Sequence, residues 1–575
     1  MKFLKKIVSS SNFWPLLIVL ISAILAGRTF LTPGYFNMHD DLQMMRQLEM
    51  EKCFLDGQIP CRWVPDMGYG FGFPLFNYYP PLPYLVGELF RIAHFSFVDT
   101  AKILFLLAFM ASGLTMYYLA KEFFGKWGGV VSSVFYVWAP YHSVDAYVRG
   151  AMNESWALIW FPLILLTSYK LIVQKSKTTR WIIALGLSWT GLLLSHNLMV
   201  LIFTPVFAGW CLLFWLKAKG WKKIWELLKA GLLAAGLSAF FTLPAAFEQK
   251  YVHVDTLVKG YYEYIAHFAT INQLLFSRFW GYGPSVWGIN DGMSFQIGHI
   301  HWILSILIGI VVVAMFLGKN KSKLSRQTLF TILYIFLAGW FAAFMAHEKS
   351  TFIWKLFSPL AFVQFPWRFL TIVILCFSFI AGSVVILFPN KIIKFIAPIV
   401  LVGLIVWNWN YFLPQGGKMG PLTDTQKFSG AAWDLQRTAG IFDYLPQAAR
   451  ENPKEGQKLL AEFMTGKGSV ESPKEGTNWA SFNINADSAS TIRVGIFQYP
   501  VWKTYIDGKE VKNYVPESEA WGRMYIDVAA GRHIITLRLY NTPLRSVANI
   551  ISLLTWISLL AFAMRRLRMV QFRRG

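Results

Sequence analysis

Soon after the first apolar stretch of the chain, His39, Asp40 and Asp41 stand in succession. Two adjacent carboxylates can hold a divalent cation such as Mg or Mn. Alternatively, one of them can take a proton as a general base while the neighbouring imidazole orients it or meets a phosphate. The same acids also suit the start of a helix over residues 42 to 51, where an Asp satisfies free amide N–H groups. Further along, Arg149 and Glu154 flank the short loop Gly150-Ala151-Met152-Asn153. A guanidinium there can clamp a phosphate bidentately, or it can pair with Glu154 and merely fix the loop. Ser195-His196-Asn197 occupies a tight turn between two apolar runs. His196 can donate to a phosphate or a sugar, and Asn197 can simply stabilise the turn. His299 and His301 have only Asp291 as a carboxylate nearby in sequence, a poor set for a metal.

These residues must be positioned by apolar segments. Of the 575 residues, 55% are hydrophobic and only 15% charged, well short of the roughly 25% of a soluble domain. Runs of about 20 apolar residues can cross a bilayer as helices. Twelve are predicted: 13 to 31, 99 to 120, 127 to 141, 154 to 173, 181 to 195, 198 to 216, 230 to 246, 299 to 317, 328 to 346, 369 to 388, 395 to 413 and 546 to 564. The third is short enough to be tilted or partly re-entrant.

The formal net charge is +23, from 54 Lys and Arg against 31 Asp and Glu. A basic excess of this size raises nucleic acid as a partner, so its location decides. With the N-terminus on the cytoplasmic side, the segments facing the cytoplasm hold 25 Lys and Arg and two acids, Glu122 and Glu226. They therefore carry the whole +23, and the remainder, with 29 basic and 29 acidic residues, is neutral. This is the positive-inside pattern of membrane topology, and it removes the argument for nucleic acid. Both termini are expected on the cytoplasmic side of a cell membrane. The first span reads as an uncleaved anchor, because no clean small-x-small cleavage site follows it.

Three regions lie outside the membrane on the far face: 32 to 98, 247 to 298 and 414 to 545. The first includes a short amphipathic helix around Tyr84 to Phe90. In the third, period-two stretches such as Ile534 to Leu539, with turn signals at Asp507-Gly508 and Ala530-Gly531, predict an antiparallel β domain. The expected organisation is a transmembrane domain over 1 to 413, a β-sandwich-like extracytoplasmic domain over 414 to 545, and a final helix with a basic tail over 546 to 575. Cys53 and Cys61 share the first outer loop, where an oxidising compartment permits a disulfide; Cys211 and Cys376 lie within spans as packing residues. The topology also places His39, Asp40, Asp41, His142, Asp145, Arg149, Glu154, His196, Glu348, Lys349 and Arg368 at the outer ends of spans or in outer loops. Ionisable groups are costly there, so they are candidates for one outward-facing cavity, against the alternative of plain interfacial solvation.

Several motifs carry a resemblance. The first outer loop reads His39-Asp40, then Arg46, then Gly57-Gln58-Ile59-Pro60-Cys61-Arg62-Trp63, and on through Gly68-Tyr69-Gly70-Phe71-Gly72-Phe73-Pro74-Leu75-Phe76-Asn77-Tyr78-Tyr79-Pro80. With Ala139-Pro140-Tyr141, Val148-Arg149-Gly150-Ala151, Leu194-Ser195-His196-Asn197 and Gln364-Phe365-Pro366-Trp367-Arg368-Phe369, it resembles the membrane family labelled 6-pyruvoyl-tetrahydropterin synthase-related, which belongs with the GT-C glycosyltransferases. Tyr499-Pro500-Val501-Trp502, Asp507-Gly508-Lys509 and Gly531-Arg532-His533 are similar to the outer β domain of YfhO-like proteins. Where that family often has a polar residue four positions after the Asp, this chain has Met44.

The resemblance implies a GT-C-like polytopic helical fold of about twelve spans with a C-terminal β-rich domain. It further implies inverting transfer of a hexosyl or pentosyl group from a polyprenyl-phosphate donor to an extracytoplasmic glycan, lipid or protein acceptor of the cell envelope. Asp40, with Asp41 as its alternate, would be the base or a metal ligand. His39, Arg46, Tyr78, Tyr141, Arg149, Glu154, His196, Asn197 and Arg368 would contact substrate. Two other classes compete: a transporter or flippase of a lipid-linked saccharide, and a non-catalytic glycan-binding assembly protein. A transporter would need inverted repeats and midplane acids, and neither stands out.

Overall fold

The computed structural model describes residues 12–218, 220–288, 290–318, 324–388, 390–417, 420–440 and 444–572. The basic segment at 1 to 11 and the last three residues of the tail lie outside the described residues. Among the described residues nine helices are long and apolar enough to cross a membrane, and the chain is a multi-pass membrane protein. In lipid every backbone polar group must be bonded internally, which is why the apolar runs fold as helices and nothing else.

The nine differ from the twelve expected in three places. The spans expected at 99 to 120 and 127 to 141 are two helices within Phe97–Val137, divided at Gly125. There the backbone takes φ +73° and ψ −179°, a conformation open to glycine and costly for other residues. Phe13–Ala26 and Thr178–Leu193 are helical but have 14 and 16 residues. The amphipathic stretch of the first loop is the helix Leu82–Ile92, with Leu89 and Ile92 exposed.

The chain forms two units. One comprises Met1–Gln43, Val98–Ala234 and Val258–Leu422; the other comprises Met44–Phe97, Ala235–Leu257 and Thr423–Gly575. In the first unit the span Pro366–Leu387 is the most enclosed, with 83% of it buried, so residues at its head are held on all sides. The second unit contains the disulfide Cys53–Cys61 and, among the described residues, all eight strands.

The strands are β1 (Ala461–Thr465), β2 (Gly468–Glu475), β3 (Trp479–Ala486), β4 (Ser490–Phe497), β5 (Trp502–Ile506), β6 (Lys509–Val511), β7 (Arg523–Val528) and β8 (Gly531–Leu539). They make two antiparallel sheets, β1-β4-β7 and β2-β3-β8-β5-β6. On β8, Ile535, Leu537 and Leu539 are buried while Thr536 and Arg538 are exposed, the period-two pattern expected of a strand with one solvated face. Asp507 and Gly508 both have positive φ, 50° and 80°, and close the β5-β6 hairpin as a two-residue turn. The other turn signal, Ala530-Gly531, joins β7 to β8, which belong to different sheets. It is a crossover between sheets and not a hairpin.

A second-unit polar network binds distant parts of the sequence. The Glu248 carboxylate accepts from Thr542 Oγ1 at 2.6 Å, from Arg545 Nε at 2.7 Å and from Asn77 Nδ2 at 3.0 Å. Arg545 Nη2 donates to the Tyr499 hydroxyl at 2.9 Å, and Tyr78 Oη donates to the Glu248 carbonyl at 2.7 Å. Arg62 donates to Asn77, to the Phe240 carbonyl and to Asn549. A buried carboxylate is tolerable only when so satisfied.

Candidate active site

The site lies in the first unit, at the heads of the spans Met152–Val173, Asn197–Ala218 and Pro366–Leu387. Pro140–Ser143 is one helical turn, and Val144–Val148 continues it as a π-turn, a widened geometry often found at functional positions. The π-turn is closed by Arg149 N–H donating to the Val144 carbonyl at 2.8 Å. It leaves Asp145 and Arg149 paired, with Nη1 of Arg149 2.6 Å from Asp145 Oδ1. Gly150 follows at φ +62°, where an added Cβ would lie 2.2 Å from Met38 Sδ and 3.1 Å from the Asp40 carbonyl oxygen. A side chain there would push away the first loop.

Glu154 is the hub. Its Oε2 lies 2.8 Å from Arg149 Nη1, 3.4 Å from Arg368 Nε and 3.9 Å from His196 Nε2, while its Oε1 accepts from the Tyr141 hydroxyl at 2.7 Å. Of the two readings of Arg149 and Glu154 the ion pair is what is seen, and a second guanidinium joins it. Glu154 and Asp145 are fully buried, whereas the Arg149 and Arg368 side chains each keep 10% exposure. Among the described residues, the hydrogen bonds of both guanidinium groups run through Nη1, and Nη2 of each has no partner. The two guanidinium groups lie against two carboxylates, of which Asp145 has its pKa pushed up by burial and by Glu154, so the cluster is buried largely compensated and still presents two donor ends. Burial works against the charge of Arg149, but Glu154, Tyr141 and Asp145 outweigh it and hold the group firmly protonated. His196 is pushed down to about 3, chiefly by burial, and stays neutral.

Arg368 is set by an unusual turn. Gln364 has φ +65° and ψ −51°, and Phe365 N–H donates to the Val363 carbonyl at 2.7 Å. This is the γ-turn of the rare, strained hand. Arg368 Nη1 donates to that same Val363 carbonyl at 2.8 Å and to Gln364 Oε1 at 2.9 Å, so the turn supplies both acceptors. Phe365 and Trp367 stack with centroids 4.7 Å apart; the Arg368 guanidinium lies 4.9 Å from the Phe365 ring and that of Arg149 4.7 Å from the Trp367 ring. The six-residue motif from Gln364 to Phe369 was visible in the sequence, but nothing in it signals a positive φ at a glutamine.

The first loop meets this site through its backbone. His39 N–H donates to the Val148 carbonyl at 3.0 Å and Asp40 N–H to the Arg149 carbonyl at 2.9 Å. Gln43 Nε2 donates to the Gly150 carbonyl at 2.7 Å and lies 3.3 Å from Asp40 Oδ2. His39 Nε2 contacts the Tyr282 carbonyl at 2.7 Å; burial and the charge of Arg149 lower its pKa against that contact. Asp40 and Asp41 precede the helix Gln43–Leu55, which starts one residue later than expected. Among the described residues no three His, Cys, Asp or Glu side chains converge as a cation site.

The remaining expected site residues have the following surroundings. His196 is in the site, its Nδ1 accepting from Leu198 N–H at 3.2 Å, while Asn197 begins the helix Asn197–Ala218 and is exposed. Arg46 and Tyr78 belong to the second unit. Arg46 lies over the Tyr79 ring at 4.3 Å, and Tyr78 is buried in the network around Glu248. His142 is buried and stacks on Phe109 at 4.5 Å. His299 and His301 contact the carbonyls of Phe276 and Phe135. Glu348 and Lys349 form a short 3-10 turn with Ser350.

No family model and no curated protein matches the chain, and the likeness to the pterin-synthase-related family has no support from them. Among solved structures, the chain is similar to the single-particle cryo-EM structure of the arabinofuranosyltransferase AftD from mycobacteria. The TM-score is 0.45 with 12% identity, covering 71% of this chain and 27% of that one. The chain spans about a quarter of the length of that protein.

Proposed function

We propose that this protein is a membrane glycosyltransferase of GT-C type that moves a sugar from a polyprenyl-phosphate donor to an acceptor hydroxyl on the outer face, with inversion. The observation that carries the reading is the pair Arg149 and Arg368, held by one buried carboxylate, each slightly exposed and with Nη2 unpartnered among the described residues. Two preorganised guanidinium groups suit a phosphate leaving group, because charge grows on its oxygens as the glycosidic bond breaks. Glu154 is fully buried, facing two guanidinium groups and the Tyr141 hydroxyl, so it is the organiser of the site and not its base.

Asp40 fills the role of base. It stands on the segment laddered onto Arg149 and is partly exposed. In the step we assign, Asp40 takes the proton of the acceptor hydroxyl as that oxygen bonds to the anomeric carbon. The bond from that carbon to the phosphate oxygen breaks, and its electron pair leaves with the polyprenyl phosphate under Arg149 and Arg368. Asp40 and Asp41 alone do not amount to a cation cage, and no step is routed through a metal. The test is to incubate the purified protein in proteoliposomes with polyprenyl-phosphate sugars, with and without EDTA, and to measure release of polyprenyl phosphate. Release by the wild type and its loss in Asp40→Asn are expected; flipping without release would favour the transporter, and binding alone the assembly protein.

A further inference from the structure

We propose that Tyr261, backed by Phe365, is the platform on which the sugar ring of the lipid-linked donor rests; this deepens the reading of Arg149 and Arg368 as the phosphate site. A sugar's anomeric carbon is one bond from the phosphate oxygen, so its ring must lie against whatever wall adjoins the cation pair. That wall is aromatic. Trp367 is already covered, by Phe365 at 4.7 Å and by Phe295 at 5.3 Å, both nearly parallel to it, and it is 2% exposed. Phe365 is 8% exposed. Tyr261 is 51% exposed, and its ring partners Tyr262, His267 and Phe365 meet it at steep angles, 73°, 73° and 64°. Among the described residues no ring lies parallel to it. A half-exposed ring with an apolar face suits the C–H face of a sugar.

The ring is also held in place relative to the arginines. Trp367 Nε1 donates to Ser285 Oγ at 3.1 Å, Ser285 Oγ is 3.0 Å from His267 Nδ1, and His267 Nε2 contacts the Tyr261 carbonyl. One assignment satisfies all three contacts. The neutral imidazole carries its proton on Nε2 and donates to the carbonyl, and Ser285 donates to Nδ1 while accepting from Trp367. Burial lowers the His267 pKa, against the pull of the Tyr261 carbonyl, and the Arg368 charge lowers it further, in keeping with that tautomer. Trp367 in turn lies beneath the Arg149 guanidinium, so the frame runs unbroken from platform to phosphate site.

The experiment compares the full-length wild type, Tyr261→Phe and Tyr261→Leu. Binding is measured for a short-chain polyprenyl phosphate and for a panel of its hexosyl and pentosyl esters. In the wild type at least one ester should bind more tightly than the bare phosphate. Tyr261→Leu should weaken that ester about 10-fold while leaving the bare phosphate unchanged, and Tyr261→Phe should stay near the wild type. Equal ester affinity in wild type and Tyr261→Leu, or no ester preferred over bare phosphate, overturns the platform and leaves the phosphate site standing. Failure of the wild type to bind bare polyprenyl phosphate overturns the phosphate site itself.

Discussion

The amide of Asp40 is hydrogen-bonded to the carbonyl of Arg149 at 2.9 Å, so main chain ties the acid of the first loop to the first cation of the cluster. Either side chain can therefore be altered without releasing the other's backbone. Asp40→Asn should lower sugar transfer by about 10²- to 10⁴-fold, the usual contribution of a general base, with thermal stability unchanged. Full activity in that variant, measured as polyprenyl phosphate released, would sink the assignment of Asp40.

Arg149 and Arg368 should respond differently. Arg149 neutralises Asp145 and Glu154 together, and Arg149→Gln leaves buried carboxylates under-compensated; a loss of about 3 to 5 kcal/mol is expected. Arg368→Lys keeps a charge near Glu154 but loses the paired contact to Val363 and Gln364. It should fold, and its KM for the lipid-linked donor should rise by about 10-fold, one hydrogen bond to a charged group. Thermal melts and donor titrations separate the two effects.

The γ-turn at Gln364 gives a paired prediction. Gln364→Ala keeps the strained backbone and removes the acceptor for Arg368, so it should lose both stability and donor affinity. Gln364→Gly relieves the backbone, which costs about 1 to 3 kcal/mol for a residue held in such a region. The glycine variant should melt above the alanine variant while sharing its weakened donor binding. Equal melting points would show that the turn stores no strain.

A pH effect follows from His196. Its folded pKa, about 3, lies below its ordinary value of 6.5, so the unfolded chain binds more protons than the folded one in that interval. Stability contributed by the neutral imidazole is present above pH 6.5 and is lost as pH falls toward 3. Melting temperature plotted against pH should fall on the acid side, and His196→Gln should flatten part of that fall. An identical slope in the variant would show that His196 is not buried as described.

Much of the fold was legible because lipid leaves the chain few choices. Apolar runs must be helices, and the alternation of Ile535, Leu537 and Leu539 with Thr536 and Arg538 has a strand's period. Hydropathy alone separated the two helices that meet at Gly125. At the site, residue type and topology brought together Arg149, Glu154, His196 and Arg368, because charge at a span's head needs a reason. The same reasoning could not sort Tyr78 from Tyr141. Both are tyrosines in outer motifs, yet one hydroxyl meets the Glu248 carbonyl in the second unit and the other meets Glu154. Nor could it link Tyr261 with His267 and Ser285, whose association depends on three-dimensional contacts that have no periodicity.

Glu248 has a bearing on how the chain is made. Its partners are emitted by the ribosome at widely separated times: Asn77 long before it, Thr542 and Arg545 294 and 297 residues after it. A nascent chain therefore carries this carboxylate through synthesis of the whole β region without its counter-charge. The network can close only once the helix Pro543–Phe572 has been made. A chain cut before Thr542 would leave the Glu248 carboxylate without Thr542 and Arg545.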